Sequence, residues 1–358
     1  MPLTVVVGGQ YGSEGKGKMV AHLVMNSALP TSVVRCGGSN AGHTAHVGGR
    51  TYRLRQLPTG VVAEDCKLFL AAGMLIDLEV LSSEIATCGV AASRLRIDRN
   101  AAVISDEDKK EENRLGLRQR IASTLSGTGA ATARKVLRDA GLRLAKDIPE
   151  LREYIGDVSR ELNDAYDRGE HVIVEGTQGF GLSLHHTQAF PFATSRDTTA
   201  AAFLADAGLS PLLVTEVVLV LRTYPIRVGG NSGPMYREIT WREVARRSGC
   251  KQELAEYTTV TGTLRRVGEF DWHLAERSVR ANRPTALAIH GLDYLDYTDC
   301  GKSRWDSLGC KSRTFVQDIE RRLQVPVRYL FTGPGEADLI DRRVCKPTCD
   351  APSFLARL

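Results

Sequence analysis

Val5-Val6-Val7-Gly8-Gly9 runs directly into Gln10-Tyr11-Gly12-Ser13-Glu14-Gly15-Lys16-Gly17-Lys18, so a β-branched strand feeds a glycine loop and then a helix. Exposed loop amides and a helix N-terminus make a cradle for an anion, and Lys16 and Lys18 add positive charge. A strand, loop and helix joined this way belong in a parallel sheet that binds its ligand beyond the strand ends. The glycines do not fall at the G-x-G-x-x-G spacing of a dinucleotide site. Gly12-x4-Gly17-Lys18 fits a P-loop, but Met19 stands where that motif needs a Ser or Thr for magnesium. A tight turn and a generic P-loop ATPase are the plainer alternatives. Glu14 reads as a cap on the helix start.

The rest of the chain supports an α/β fold: a mostly parallel central sheet, flanking helices, and ligand loops at the strand C-terminal ends. Apolar β-branched runs at 5–9, 33–37, 68–73, 172–176, 216–222, 285–290 and 325–331 predict strands. Helical spacing is expected at 17–25, 78–87, 151–168, 241–247, 272–282 and 315–323. With no repeat or linker, residues 1–358 read as a single domain, with a mobile or decorating segment at 105–150. Its charged start, 105–120, reads as a mobile insertion. A 42% hydrophobic and 25% charged composition excludes a disordered or collagen-like chain. No apolar run approaches the roughly 18 residues of a spanning helix, and the first residues do not form a signal peptide. The expected location is therefore cytoplasmic, in a host's cytoplasm if the source is viral. A net charge of +5 with dispersed arginines points to local phosphate sites, with neither nucleic acid nor membrane expected as partner. Cysteine is sparse and no C-x-x-C occurs, which favours reduced thiols, with structural zinc as the alternative. Cys345 and Cys349 are the closest pair.

The opening loop resembles the N-terminal signature of adenylosuccinate synthetase, usually written G-x-Q-W-G-D-E-G-K-G-K. The similarity continues through Gly38-Ser39-Asn40-Ala41-Gly42-His43-Thr44, Gln56-Leu57-Pro58-Thr59-Gly60 and Val174-Glu175-Gly176-Thr177-Gln178-Gly179. It then covers Thr194-Ser195, Arg227-Val228-Gly229, Thr259-Val260-Thr261-Gly262, Arg265-Arg266-Val267-Gly268 and Thr332-Gly333-Pro334. These motifs keep their order along nearly the whole chain.

The resemblance implies a ligase that phosphorylates the 6-oxygen of a purine nucleotide and displaces the phosphate with the amine of L-aspartate. It implies catalytic roles for Ser13, Lys16 and His43, and magnesium held by Ser13 and the Gly42 carbonyl. The triphosphate would meet Gly12, Gly15, Lys16, Gly17 and Lys18, then Gly42, His43 and Thr44, and further along Arg265, Asp293, Thr332, Gly333 and Pro334. The purine monophosphate would meet Ser13, Asn40, Ala41, Ser123, Thr124, Gln178, Thr194 and Thr263. Arg138 would reach it from a neighbouring subunit, which implies a homodimer. L-Aspartate would be clamped by Thr258, Thr259, Val260, Thr261, Gly262 and Arg265, an arginine fork being suited to a carboxylate.

Three departures from the family pattern bear on substrate. Ser13 replaces the aspartate that accepts the purine N1 proton, and a hydroxyl is a poor base without an activating neighbour. It is also shorter, which opens space where guanine carries its 2-amino group, and it can both donate and accept. Thr263 replaces an arginine near the substrate ribose, which suits a deoxyribonucleotide. Gly291-Leu292-Asp293 replaces the K-L-D of the GTP pocket, which makes ATP or dATP a candidate donor. Together these changes resemble the viral branch of the family that makes N6-succino-2-amino-2′-deoxyadenylate from dGMP. A conventional enzyme acting on IMP and an inactive nucleotide-binding regulator are the alternatives.

Overall fold

The computed structural model describes residues 2–258 and 262–343. Its frame is a ten-stranded sheet. In chain order the strands are Leu3–Gly8 (β1), Thr31–Arg35 (β2), Lys67–Leu70 (β3), Leu95–Asp98 (β4), Ile155–Gly156 (β5), His171–Glu175 (β6), Glu216–Arg222 (β7), Ala286–His290 (β8), Val327–Phe331 (β9) and Leu339–Asp341 (β10). They lie side by side as β10-β9-β8-β7-β1-β6-β2-β3-β4-β5. Only β9 and β10 run antiparallel; the other neighbours are parallel. All seven expected strands are present, and the α/β expectation holds.

β1 is buried along its whole length because its side chains feed two cores. Leu3, Val5 and Val7 join one, packed by the helices Val158–Asp167, Ala200–Ala207, Trp272–Asn282 and Cys310–Leu323. Val6 points to the other face, where Met19, Val20, Leu23 and Val24 of the helix Lys16–Met25 cover it. An uninterrupted apolar run, rather than an alternating one, is what a strand covered on both faces requires. Met19 is fully buried, so its place in the would-be P-loop serves packing and not metal binding.

One expectation needs correction. The single helix expected over 151–168 is a 3-10 turn, Pro149–Tyr154, then β5, then the helix Val158–Asp167. Ile155 pairs with Ile97 at the sheet edge, and Asp157 then caps the helix by accepting from the Arg160 amide at 3.2 Å, so the periodicity is broken by a strand and a cap. The stretch 105–120 is folded into two helices, Asp106–Arg114 and Leu117–Ile121. Its charges are not all solvated. Asp108 closes a capping box with Ser105 and meets Arg134. Glu112 accepts from the amides of Gly127 and Gly129 at 2.9 and 2.7 Å and so tethers the glycine-rich turn ahead of the helix Thr128–Val136. Among the described residues, no helix is long and apolar enough to cross a membrane.

Three histidines, His43, His171 and His290, are built into this frame uncharged. Burial, reinforced by Arg35, holds His43 down to about 4. Burial and Arg343 do the same for His171, also to about 4, and burial pushes His290 well below its ordinary range. In the unfolded chain each would titrate near 6.5. Because the folded values are depressed, the stability they contribute is complete above about pH 6.5 and is lost as pH falls toward 4. The thermal midpoint is expected to drop by about 5 °C or more between pH 7 and 5, and His171→Gln to flatten part of that slope. A midpoint indifferent to pH over that range would contradict the assignment.

Candidate active site

The loops beyond the carboxyl ends of β1, β2, β6, β7, β8 and β9 close around a cavity of about 930 Å³. This is the crevice where an open α/β sheet binds ligands. β1 supplies Gly12, Ser13, Gly15, Lys16, Gly17 and Lys18; β2 leads to Asn40, Ala41, Gly42, His43 and Thr44. Gln178 follows β6, Arg222 ends β7, His290 ends β8 with Asp293 just after it, and Gly333 and Pro334 follow β9.

The glycine loop is braced from within. Glu14 does not cap the helix as expected. Its Oε1 accepts from the amides of Gln10 at 3.1 Å and Gly12 at 2.8 Å, and its Oε2 from Lys16 Nζ at 2.6 Å. Lys16 also donates to the Gln178 carbonyl. The cap is Gly15, at φ +104°, without a side-chain bond. The first helical amides are therefore left for an anion. Only glycine serves there, since a Cβ would lie 2.5 Å from the His290 ring. Lys18 donates to the Gly333 and Asp338 carbonyls at 2.7 and 3.1 Å, and burial lowers it to about 8.

Ser13 is exposed in the cavity wall at φ +57°, a conformation unfavourable for serine by roughly 1–2 kcal/mol. Arg222 Nη1 donates to its carbonyl at 3.0 Å and holds the turn. Its hydroxyl has no partner among the described residues.

His43 is gripped by a second buried group. Its Nδ1 is in very short contact with Glu175 Oε1, and Arg35 Nη1 lies 2.8 Å from the same nitrogen. Glu175, fully buried, also accepts from the Thr59 amide at 2.7 Å and hydroxyl at 2.6 Å. Burial alone would raise the Glu175 carboxyl; His43, Arg35 and Thr59 outweigh it and keep it ionised. A carboxylate on Nδ1 orients the imidazole and supports a positive charge that forms on it during reaction. Sequence reasoning quoted Glu175 within a motif but gave it no role, and it missed Arg35, Arg222, Glu256 and Tyr294. Charged residues ending buried strands were the signal that could have found Arg35 and Arg222, as for Glu175; Glu256 and Tyr294 lie outside the strands and carried no such signal.

Ser123, Thr124, Gln178, Thr194, Thr258 and Arg265 also line the main cavity. Thr263 does not; it lines an adjoining cavity that shares Arg53, Ala122, Ser123, Thr124 and Val228 with the first. Thr332 lies outside the lining as well. It is fully buried, and its hydroxyl donates to the Lys302 carbonyl at 2.7 Å, so it supports the β9 end from behind. Gly262 lies outside the lining, and Arg138 is exposed just past the helix Thr128–Val136, away from this chain's cavity. Thr259, Val260 and Thr261, like Cys345 and Cys349, lie outside the described residues. Asp293 is pushed up to about 6, chiefly by burial. Gly291 accepts from Thr223 Oγ1 at 2.6 Å through its carbonyl, and at φ +85° a lysine in its place would be strained.

Among the described residues, no three His, Cys, Asp or Glu side chains cluster as a metal cage. The cavity instead offers the unpartnered Ser13 hydroxyl and the Gly42 segment. That sparse oxygen set fits magnesium arriving on a triphosphate, an ion that keeps phosphate and water ligands.

The family model for adenylosuccinate synthetase matches residues 5–148 and 143–302. The chain is 42% identical to the adenylosuccinate synthetase of Methanocaldococcus jannaschii over 347 residues, covering 95% of this chain and 96% of that protein. It is 43% identical to that of Thermococcus onnurineus, covering 96% and 99%. A solved fully ligated adenylosuccinate synthetase from Plasmodium falciparum superposes with a TM-score of 0.84 over 95% of this chain and all of that one, at 21% identity, a likeness of fold. The succinoaminodeoxyadenylate synthetase of cyanophage S-2L, solved with dGMP and with dATP as energy donor, superposes with a TM-score of 0.77 at 28% identity over 95% of each chain.

Proposed function

We propose, because this chain belongs to the adenylosuccinate synthetase family of carbon–nitrogen ligases, that it joins L-aspartate to dGMP at the expense of ATP or dATP. The purine 6-oxygen attacks the γ-phosphoryl group, the N1 proton passes by way of the Ser13 hydroxyl to solvent or phosphate, and the nucleoside diphosphate leaves. The aspartate amine then attacks C6 and phosphate leaves, giving N6-succino-2-amino-2′-deoxyadenylate, a precursor of 2,6-diaminopurine deoxynucleotide. The observation that carries the reading is Ser13, a small hydroxyl without a partner among the described residues, exposed in the cavity wall. Ordinary members of the family carry a carboxylate there, and a serine leaves room for the guanine 2-amino group. The cyanophage relative bound to dGMP and dATP supports the same substrate pair, and the loss of lysine at Gly291 supports an adenine donor.

In this reading His43 meets charge building on the transferring phosphoryl group, with Glu175 behind it. Lys16, the open amides of the helix Lys16–Met25 and Lys18 hold phosphates. Magnesium bound at Gly42 and Ser13 would neutralise phosphate charge. Arg138 would serve the site of a second copy in a homodimer.

In the same reading Thr263, in the adjoining cavity that shares Ser123 and Thr124 with the first, stands where the family's arginine lies near the sugar. An arginine there would find no 2′-hydroxyl on dGMP and be left poorly paired. Thr263→Arg is expected to raise the use of GMP relative to dGMP by about tenfold. Calorimetric titration of the unaltered protein tests the reading itself: dGMP should bind at least about tenfold more tightly than GMP or IMP. Equal or tighter IMP binding would favour a conventional IMP-using enzyme, the second reading, which the archaeal relatives named as adenylosuccinate synthetases support.

A further inference from the structure

We infer that Glu256 is a positioning residue for the aspartate step, tying the clamp arginine to the turn that carries Ser13. Its Oε2 accepts from Arg265 Nη1 at 3.0 Å. Its Oε1 accepts from Tyr294 Oη at 2.9 Å and, in a very short contact, from Arg222 Nη2. The other end of Arg222 donates to the Ser13 carbonyl. Arg222 Nε is buried without a partner among the described residues, so Glu256 and that carbonyl are what orient its guanidinium. All of these side chains border the main cavity.

The backbone builds the same link. The Arg265 amide donates to the Glu256 carbonyl at 2.8 Å, and Tyr257 pairs with Leu264 across the base of the clamp loop. Glu256 thus stands where that loop leaves the sheet side of the site. Burial works against its charge, but Arg222 and Arg265 hold its carboxyl below the usual range. One carboxylate between two guanidiniums leaves a single net positive charge facing the cavity, fitted to an incoming carboxylate. Without it, the buried Arg222 and the half-buried Arg265 would repel each other and splay, and the fork that recognises a dicarboxylate would lose its direction.

The inference rests on the reading that Arg265 holds L-aspartate, so Arg265→Gln is the reference variant. Kinetics are run on whichever purine monophosphate turns over. Glu256→Gln is expected to raise the L-aspartate KM about tenfold, and Tyr294→Phe, which keeps every charge, about threefold, with the purine KM within about twofold. If Arg265→Gln raises the aspartate KM and Glu256→Gln, folded, does not, this inference fails alone. If Arg265→Gln leaves it unchanged, the underlying reading fails too. Equal rises in all the substrate KM values would reduce Glu256 to a merely structural role and overturn the proposal. Should Glu256→Gln not fold, an unchanged aspartate KM in Tyr294→Phe overturns it.

Discussion

Ser13→Asp is expected to exchange the preferred purine, lowering kcat/KM for dGMP relative to IMP by about three orders of magnitude. The backbone accepts the change, because Ser13 sits at φ +57° and aspartate adopts that region more readily than most residues. The altered group is the side chain alone, in a turn already held by Glu14 and Arg222. A longer carboxylate fills the space the serine leaves beside N1 and restores a base for the IMP N1 proton. Steric exclusion of the 2-amino group then works in the same direction as the regained base. Steady-state kinetics on both nucleotides measure the exchange, and an unchanged ratio would remove Ser13 from the account of specificity. Ser13→Ala separates size from chemistry: retained dGMP turnover would mean that the hydroxyl contributes only by being small.

The second large effect is expected at His43. His43→Ala should lower kcat by about 10³, and Glu175→Gln by about 10², with nucleotide KM values moving less than about threefold. Glu175 is fully buried and does not line the cavity, so its effect must pass through the imidazole it orients. A glutamine keeps the shape and can still accept from the Thr59 amide, but its single oxygen cannot take both Thr59 bonds and it cannot hold an imidazolium. If Glu175→Gln retained full kcat while His43→Ala lost it, the buried carboxylate would serve folding only. If neither changed kcat, the charge on the phosphoryl group would have to be met by Lys16 and the helix amides alone.

How much of this was legible before the structure depended on how local the cause was. The strand Glu216–Arg222 and the helix Trp272–Asn282 match their expected bounds because each carries its own pattern and ends. The anion loop was legible because glycines and lysines sit within a few residues of one another. Glu175 was not, since its partner Arg35 is 140 positions away in sequence, on the adjacent strand β2. The same holds for Asp108 and Glu112, which look solvated within a charged run yet are both nearly buried. The hairpin of His43–Val47 and Arg50–Leu54, which holds His43 at its first residue, was overlooked although Gly48-Gly49, both at positive φ, supply its turn. The substrate proposal rests on a family pattern against which Ser13 and Thr263 stand out.

The most direct test of the central claim is phosphate release with L-aspartate, magnesium and ATP, comparing dGMP, GMP and IMP under identical conditions. The account predicts release with dGMP well above that with GMP or IMP. Release with IMP but not with dGMP would contradict it and return the chain to conventional adenylosuccinate synthesis.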